Sequence, residues 1–149
     1  WSHCYGTSVT SHFRTMKVYK DITTVNNPCA DGLSKFLSAL ENRESMTMDE
    51  CIKTVGLGEA FWYVLQCAPE KILECHAKSN NQSVESMSEM VKDTFESGID
   101  INDVLPFFRF AHSLEKQIIS KDTRLAQQLV VELINYHGES TVKKWLLSL

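Results

Sequence analysis

Apolar residues recur at intervals of three and four along most of this chain, which is the period of an α-helix. The most apolar stretch is 97–120, in which Phe107 and Leu114 mark one helical face. Further apolar residues widen that face over most of the circumference, and such a helix is usually enclosed by other helices. Asp103 is its predicted N-cap, because this puts Pro106 in the first turn, where a missing N–H costs little. We therefore expect a central buried helix with the rest of the chain around it.

The same periodicity predicts the surrounding helices. Thr47, Ser83 and Asp122 are expected to cap three of them, because their side-chain oxygens can accept hydrogen bonds from the free N–H groups of a first turn. No segment is predicted to be a strand. The fold class is therefore all-α: one domain, residues 1–149, folded as a globular bundle of seven to eight helices around the central one. The expected helices cover about 7–20, 33–40, 47–65, 69–77, 84–97, 103–120, 123–137 and 140–149.

Charge and motif content narrow the classes of function. A net charge of −4 and a pI near 5.7 argue against a nucleic-acid partner, which is bound by basic surfaces. No catalytic motif or metal-ligand spacing stands out, so we expect neither an enzyme nor a metal or cofactor site. No apolar run is long enough to cross a bilayer, so membrane attachment would need an anchor outside this chain.

The chain contains five cysteines, an odd number, whereas secreted disulfide scaffolds usually have an even number. This favours a reducing compartment and free thiols. The main alternative is a secreted disulfide-bonded helical carrier of small apolar ligands, which predicts disulfide bonds among the five cysteines. A third option is a helical adaptor of the death-fold type, whose bundles are shorter and seldom have so apolar a central helix.

A resemblance to a known family begins in the most apolar stretch. The run 95–110 resembles the BH1 region of the Bcl-2 family of apoptosis regulators, in which a helix ends in Phe, a Gly follows, and a central helix opens with two aliphatic residues and Phe-Phe-x-Phe. Upstream, the run 58–61 (Gly-Glu-Ala-Phe) resembles the BH3 region. The resemblance covers about 49–149. The matching BH1 positions are Phe95, Gly98, Val104, Leu105, Phe107, Phe108 and Phe110.

The turn before the central helix departs from the family pattern. Ile101 replaces its Trp, Asp100 stands where Asn is usual, and Asp103 replaces its Arg. In the family that Arg pairs with the acid of a bound BH3 helix, so Asp103 would repel the acid by about 1 kcal/mol or more. Such divergence is typical of a viral member of the family.

The resemblance implies binding without catalysis. It implies an apoptosis inhibitor that takes the BH3 helix of pro-apoptotic proteins, Bim-like or Bak/Bax-like, into an apolar surface groove, in the host-cell cytoplasm or at the mitochondrial surface. An empty groove could also pair with a second copy, so a homodimer is compatible with it. The implied groove residues are Phe61, Leu65, Ile72, Met87, Met90, Thr94, Asp100, Asp103, Leu105 and Phe110. For each of them the alternative is that the side chain simply packs in the core.

Overall fold

The computed structural model describes residues 16–21 and 30–149, which form a bundle of α-helices with one two-stranded sheet. The predicted all-α fold class is confirmed. In chain order the elements are β1 (Lys17–Tyr19), α1 (Ala30–Leu40), β2 (Ser45–Thr47), α2 (Met48–Thr54), α3 (Leu57–Cys67), α4 (Pro69–Lys78), α5 (Val84–Glu96), a 3-10 turn (Ile101–Asp103), α6 (Pro106–Ser120), α7 (Thr123–His137) and α8 (Glu139–Leu147).

The three predicted N-caps are confirmed. The Thr47 hydroxyl accepts from the N–H of Glu50 at 3.0 Å, and the Ser83 hydroxyl accepts from the N–H of Ser86 at 3.0 Å. The Asp122 carboxylate accepts from two N–H groups of the first turn of α7, at 2.7 and 3.1 Å. These contacts span two or three residues, so the local sequence is sufficient to determine them.

The helix predicted over 47–65 is wrong in one respect, because it is broken into α2 and α3. The break falls at Gly56, whose φ of +133° is closed to most residues with a side chain. A straight continuation would be geometrically impossible at that backbone angle. The chain therefore turns at Gly56, and α2 and α3 are two separate helices.

The helix predicted over 7–20 is wrong at its described end, since Lys17–Tyr19 is a strand. It pairs antiparallel with Ser45–Thr47, and Val18 lies opposite Met46. Both of these side chains are buried, which anchors the pair on the core. The rest of that predicted helix lies outside the described residues.

The helix at the centre of the bundle is α3, not α6 as predicted. All seven residues from Ala60 to Gln66 are buried, so α3 is covered on every side. It packs against α2, α4, α7 and α8. By contrast, α6 buries one face against α4, α5 and α7, while Leu105 before it and Ile119 near its end are 68% and 86% exposed. The prediction failed because apolar content alone does not say which helix receives neighbours on all sides.

A buried amide joins the central helix to α6. The Nε2 of Gln117 donates to the carbonyl oxygen of Leu65 at 3.0 Å. That carbonyl needs an outside donor because the residue four positions on is Pro69, which has no N–H. A polar residue in the core is thereby explained by the proline that begins the next helix.

A histidine pair joins α4 to the end of α7. The Nε2 of His76 lies 2.8 Å from the carbonyl oxygen of Phe107, and its Nδ1 lies 2.8 Å from Nε2 of His137. A carbonyl can only accept, so His76 carries its proton on Nε2 and its Nδ1 must accept from His137. His76 also stacks on the Phe107 ring at 4.3 Å, and the Trp145 ring lies 4.5 Å from that of His137.

Candidate functional site

Exposed apolar side chains gather where α5 ends and α6 begins. Phe95 is 41% exposed, Ile99 48% and Leu105 68%. The Phe95 ring packs against the ring of His112 on α6, with centroids 4.5 Å apart. We call these four residues the junction surface. Large apolar groups that remain in water are typical of sites where another molecule docks.

The end of α5 holds the backbone of Phe95 and Ile99, the first half of the junction surface. The N–H of Gly98 donates to the carbonyl of Phe95 at 3.0 Å, and the N–H of Ile99 donates to the carbonyl of Thr94 at 3.3 Å. This is the Schellman pattern, and it requires the positive φ of Gly98, +76°. The motif reverses the chain sharply and holds Ile99 beside the last turn of α5.

The start of α6 positions Leu105, which with His112 forms the second half of the junction surface. The Asp100 carboxylate accepts from the N–H of Asn102 at 3.0 Å and begins the 3-10 turn. Asp103 was predicted as the N-cap of α6, and this is wrong, because Leu105 occupies that position and Pro106 opens the helix. Helical backbone is disfavoured before a proline, and Leu105 is extended, with its side chain in solvent.

The two helices run antiparallel, which brings both halves together. The Ser88 hydroxyl donates to the Glu115 carboxylate at 3.1 Å at one end of the pair, and the contact of Phe95 with His112 lies nearer the other. Leu105 is the N-cap of α6 and precedes His112 by seven residues, about 10 Å along the helix. Burial is the main reason that the pKa of His112 is lowered, and the neutral ring suits an apolar contact.

Carboxylates border the junction surface. Asp93, Glu96, Asp100 and Asp103 are all exposed, on the last turns of α5 and along the connection to α6. The nearby cation on α6 is Arg109, whose guanidinium lies 5.5 Å from the ring centroid of Phe110. The site is therefore an apolar centre with an acidic border.

The structure divides the ten residues that the family resemblance assigned to a groove. Five of them lie at or near the surface around the end of α5 and the start of α6: Met90, Thr94, Asp100, Asp103 and Leu105. The other five lie in the core: Phe61, Leu65, Ile72, Met87 and Phe110.

The five core residues are buried in this conformation, so their place in a groove stays a prediction. Phe61 and Leu65 belong to the enclosed helix α3, and the Phe110 ring is covered by that of Tyr136 on α7, 5.3 Å away. All five side chains pack in the core, which was the alternative stated for each of them. Whether a bound helix could reach Met87 or Ile72 stays a prediction.

The described cysteines offer little reactivity. Burial raises the pKa of both Cys51 and Cys67 to about 12, so these thiols are protonated and poorly nucleophilic at neutral pH. Cys51, Cys67 and Cys75 are unpaired. Cys4 and Cys29 lie outside the described residues, so disulfide bonding as the carrier alternative requires stays a prediction. Within 16–21 and 30–149, no three His, Cys, Asp or Glu residues are grouped to hold a metal ion.

Neither the junction surface as a unit nor the histidine pair is predictable from the pattern of the sequence. Gly98 with Ile99, and Leu105 before Pro106, are local signals that could have predicted two exposed apolar residues. His76 and His137 are 61 residues apart, and nothing near either one indicates the other.

Comparisons with models of known protein families, with curated proteins and with solved structures give no match for this chain. No helix in the described part of the chain has the length and apolar character needed to cross a membrane.

Proposed function

We propose that this protein is a non-enzymatic binding module that receives an amphipathic helix of a partner protein on the junction surface. The observation that carries the proposal is the exposure of Phe95, Ile99 and Leu105 around one connection between helices, whose backbone is held by a Schellman motif and a capped 3-10 turn. An amphipathic helix buries its apolar face against such a surface and anchors through residues at helical spacing. A surface held in place before binding loses little conformational entropy when the partner arrives.

The partners that the resemblance to the Bcl-2 family suggests are BH3 helices of pro-apoptotic proteins, Bim-like or Bak/Bax-like. Sequestering them would inhibit apoptosis, in the cytoplasm or at the mitochondrial surface. The order of the Phe95, Gly98, Leu105 and Phe107 positions supports this choice, as does the exposure of Met90, Asp100 and Asp103. A homodimer formed through the same apolar surface is part of the proposal for the unbound protein.

The burial of Met87 supports one mode of binding for such a helix, on the surface with α5 in place. Met87 and Val91 are the buried residues of α5, so lifting α5 to open a deep groove would expose both. This would cost about 3–6 kcal/mol, which weakens binding at least about a hundredfold. A partner that uses the already exposed side chains avoids this cost, so we propose binding on the junction surface with α5 in place.

Titration of labelled BH3 peptides by fluorescence anisotropy tests the proposal. At least one peptide should bind with a Kd below about 10 μM, which corresponds to roughly 7 kcal/mol. Leu105→Ala should weaken that binding about tenfold, the usual effect of losing an interface anchor. Ile119→Ala is the matched control, because Ile119 is 86% exposed and lies at the opposite end of α6.

Two results would contradict the proposal. The first is the absence of binding by every BH3 peptide at about 10 μM. The second is an equal loss of affinity in the Leu105 and Ile119 variants, because binding would then take place somewhere other than the junction surface.

A further inference from the structure

The negative charge of this protein is concentrated beside the junction surface. Residues 93–104, which border the junction surface, contain four carboxylates and no basic residue, a net charge of −4, equal to that of the whole chain. All four carboxylates are exposed. None of them forms an ion pair with another residue in the described part of the chain. A partner that approaches this side of the molecule therefore meets an uncompensated negative field.

The cations of α6 offset this field only in part, since Arg109 adds one positive charge against the four carboxylates of the acidic border. The Arg109 guanidinium lies over an aromatic ring and forms no ion pair with the residues that the structure describes. Lys116 is eleven residues beyond Leu105, about 16 Å along the helix. The pKa of His112 is lowered chiefly by burial, so its ring is neutral at physiological pH.

We infer that the junction surface selects a partner helix whose apolar stripe is flanked by lysine or arginine, and that it discriminates against a helix with carboxylates there. The inference rests on the proposed function and adds the chemistry of the partner. The apolar centre supplies affinity, whereas charges around an interface determine which partners are accepted and how fast they associate. A BH3 helix that places an acid beside its stripe would bind poorly, and one with basic flanks would bind well.

Two labelled helical peptides of about 20 residues provide the test. They share the same leucines at helical spacing and differ only at the flanking positions, which are lysine in one and glutamate in the other. We expect the lysine peptide to bind about tenfold more tightly at about 50 mM salt, the sum of several weak exposed pairs. At about 500 mM salt most of the difference should disappear, because the Debye length falls to a few ångströms.

Variants of the protein test whether the acidic border causes the preference for the lysine peptide. The combination of Glu96→Gln, Asp100→Asn and Asp103→Asn removes three charges, and Asn at position 100 can still cap the 3-10 turn. It should reduce the preference for the lysine peptide to about threefold or less. The control combines Glu132→Gln on α7 with Glu139→Gln on α8, and it should leave the tenfold preference unchanged.

Several results would overturn the inference. Equal affinity for the two peptides refutes the inference. It is also refuted if the control combination at Glu132 and Glu139 lowers the preference for the lysine peptide as much as the combination at Glu96, Asp100 and Asp103. If BH3 peptides bind without regard to their flanking charge, only the selectivity is refuted, whereas no binding by any peptide refutes the proposed function as well. Lysine-peptide binding that is unchanged in Leu105→Ala would be adsorption by charge alone. A homodimer that Leu105→Ala dissociates would identify a second copy as the occupant.

Discussion

Acidification should destabilise this protein through the pair of His76 and His137. Burial lowers the pKa of both rings, and that of His137 falls from 6.5 to about 4, to which the neighbouring His76 also contributes. In the unfolded chain both rings return to the ordinary pKa. Between pH 6.5 and about 4 the unfolded chain therefore binds more protons than the folded protein. The contribution of the pair to stability is complete above this range and is lost as the pH falls through it.

The magnitude follows from the shift at His137. A fully buried ring with this pKa would lose about 2 kcal/mol of stability between about pH 7.5 and pH 5. The His137 ring is partly exposed, so solvent screens the effect and we expect about 1 kcal/mol. Urea unfolding followed by circular dichroism at the two pH values measures this loss as the change in the free energy of unfolding.

Comparison of variants separates this effect from the titration of carboxylates. His137→Gln removes the titrating ring but keeps an N–H donor for Nδ1 of His76, so its loss of stability on acidification should be about 1 kcal/mol smaller. His112→Gln is the comparison variant, because the pKa of His112 is also lowered and this variant shows how much of the loss comes from a histidine outside the pair. The reasoning is refuted if the wild type and His137→Gln lose the same stability, or if NMR titration gives His137 an ordinary pKa.

Three substitutions test the local packing by urea unfolding. Gln117→Met should lower the free energy of unfolding by about 1 kcal/mol, because the Leu65 carbonyl loses its donor, and unchanged stability would show that water replaces it. Asp122→Ala should cost about 1 kcal/mol as a lost N-cap, whereas Asp122→Asn should cost much less. Gly58→Ala should stabilise by about 0.5 kcal/mol, since its new Cβ would meet Val130 at an ordinary 3.8 Å; destabilisation would mean that the glycine is sterically required.

The junction surface was only half predictable from the sequence. The proline after Leu105 and the glycine before Ile99 dictate extended backbone and a helix stop, and both effects act over a few residues. The resemblance to a family groove placed Leu105 and Met90 near one another in the site. It could not reveal that Phe61 and Met87 are covered, because the covering groups come from distant parts of the chain.

The sequence by itself determined where most helices begin and end. Thr47, Ser83 and Asp122 cap as expected because a cap joins atoms two or three residues apart. The stripe of apolar residues on α1 and on α7 likewise follows from the helical period alone.

The tertiary structure alone decided which helix is central, where the sheet forms and which histidines meet. Lys17–Tyr19 becomes a strand only because Ser45–Thr47 is beside it, and His76 finds its partner across 61 residues. α3 is enclosed because four other helices pack around it, while α6 keeps one face in water. Periodicity records which face of a helix is apolar, but burial depends on neighbours that long-range packing supplies.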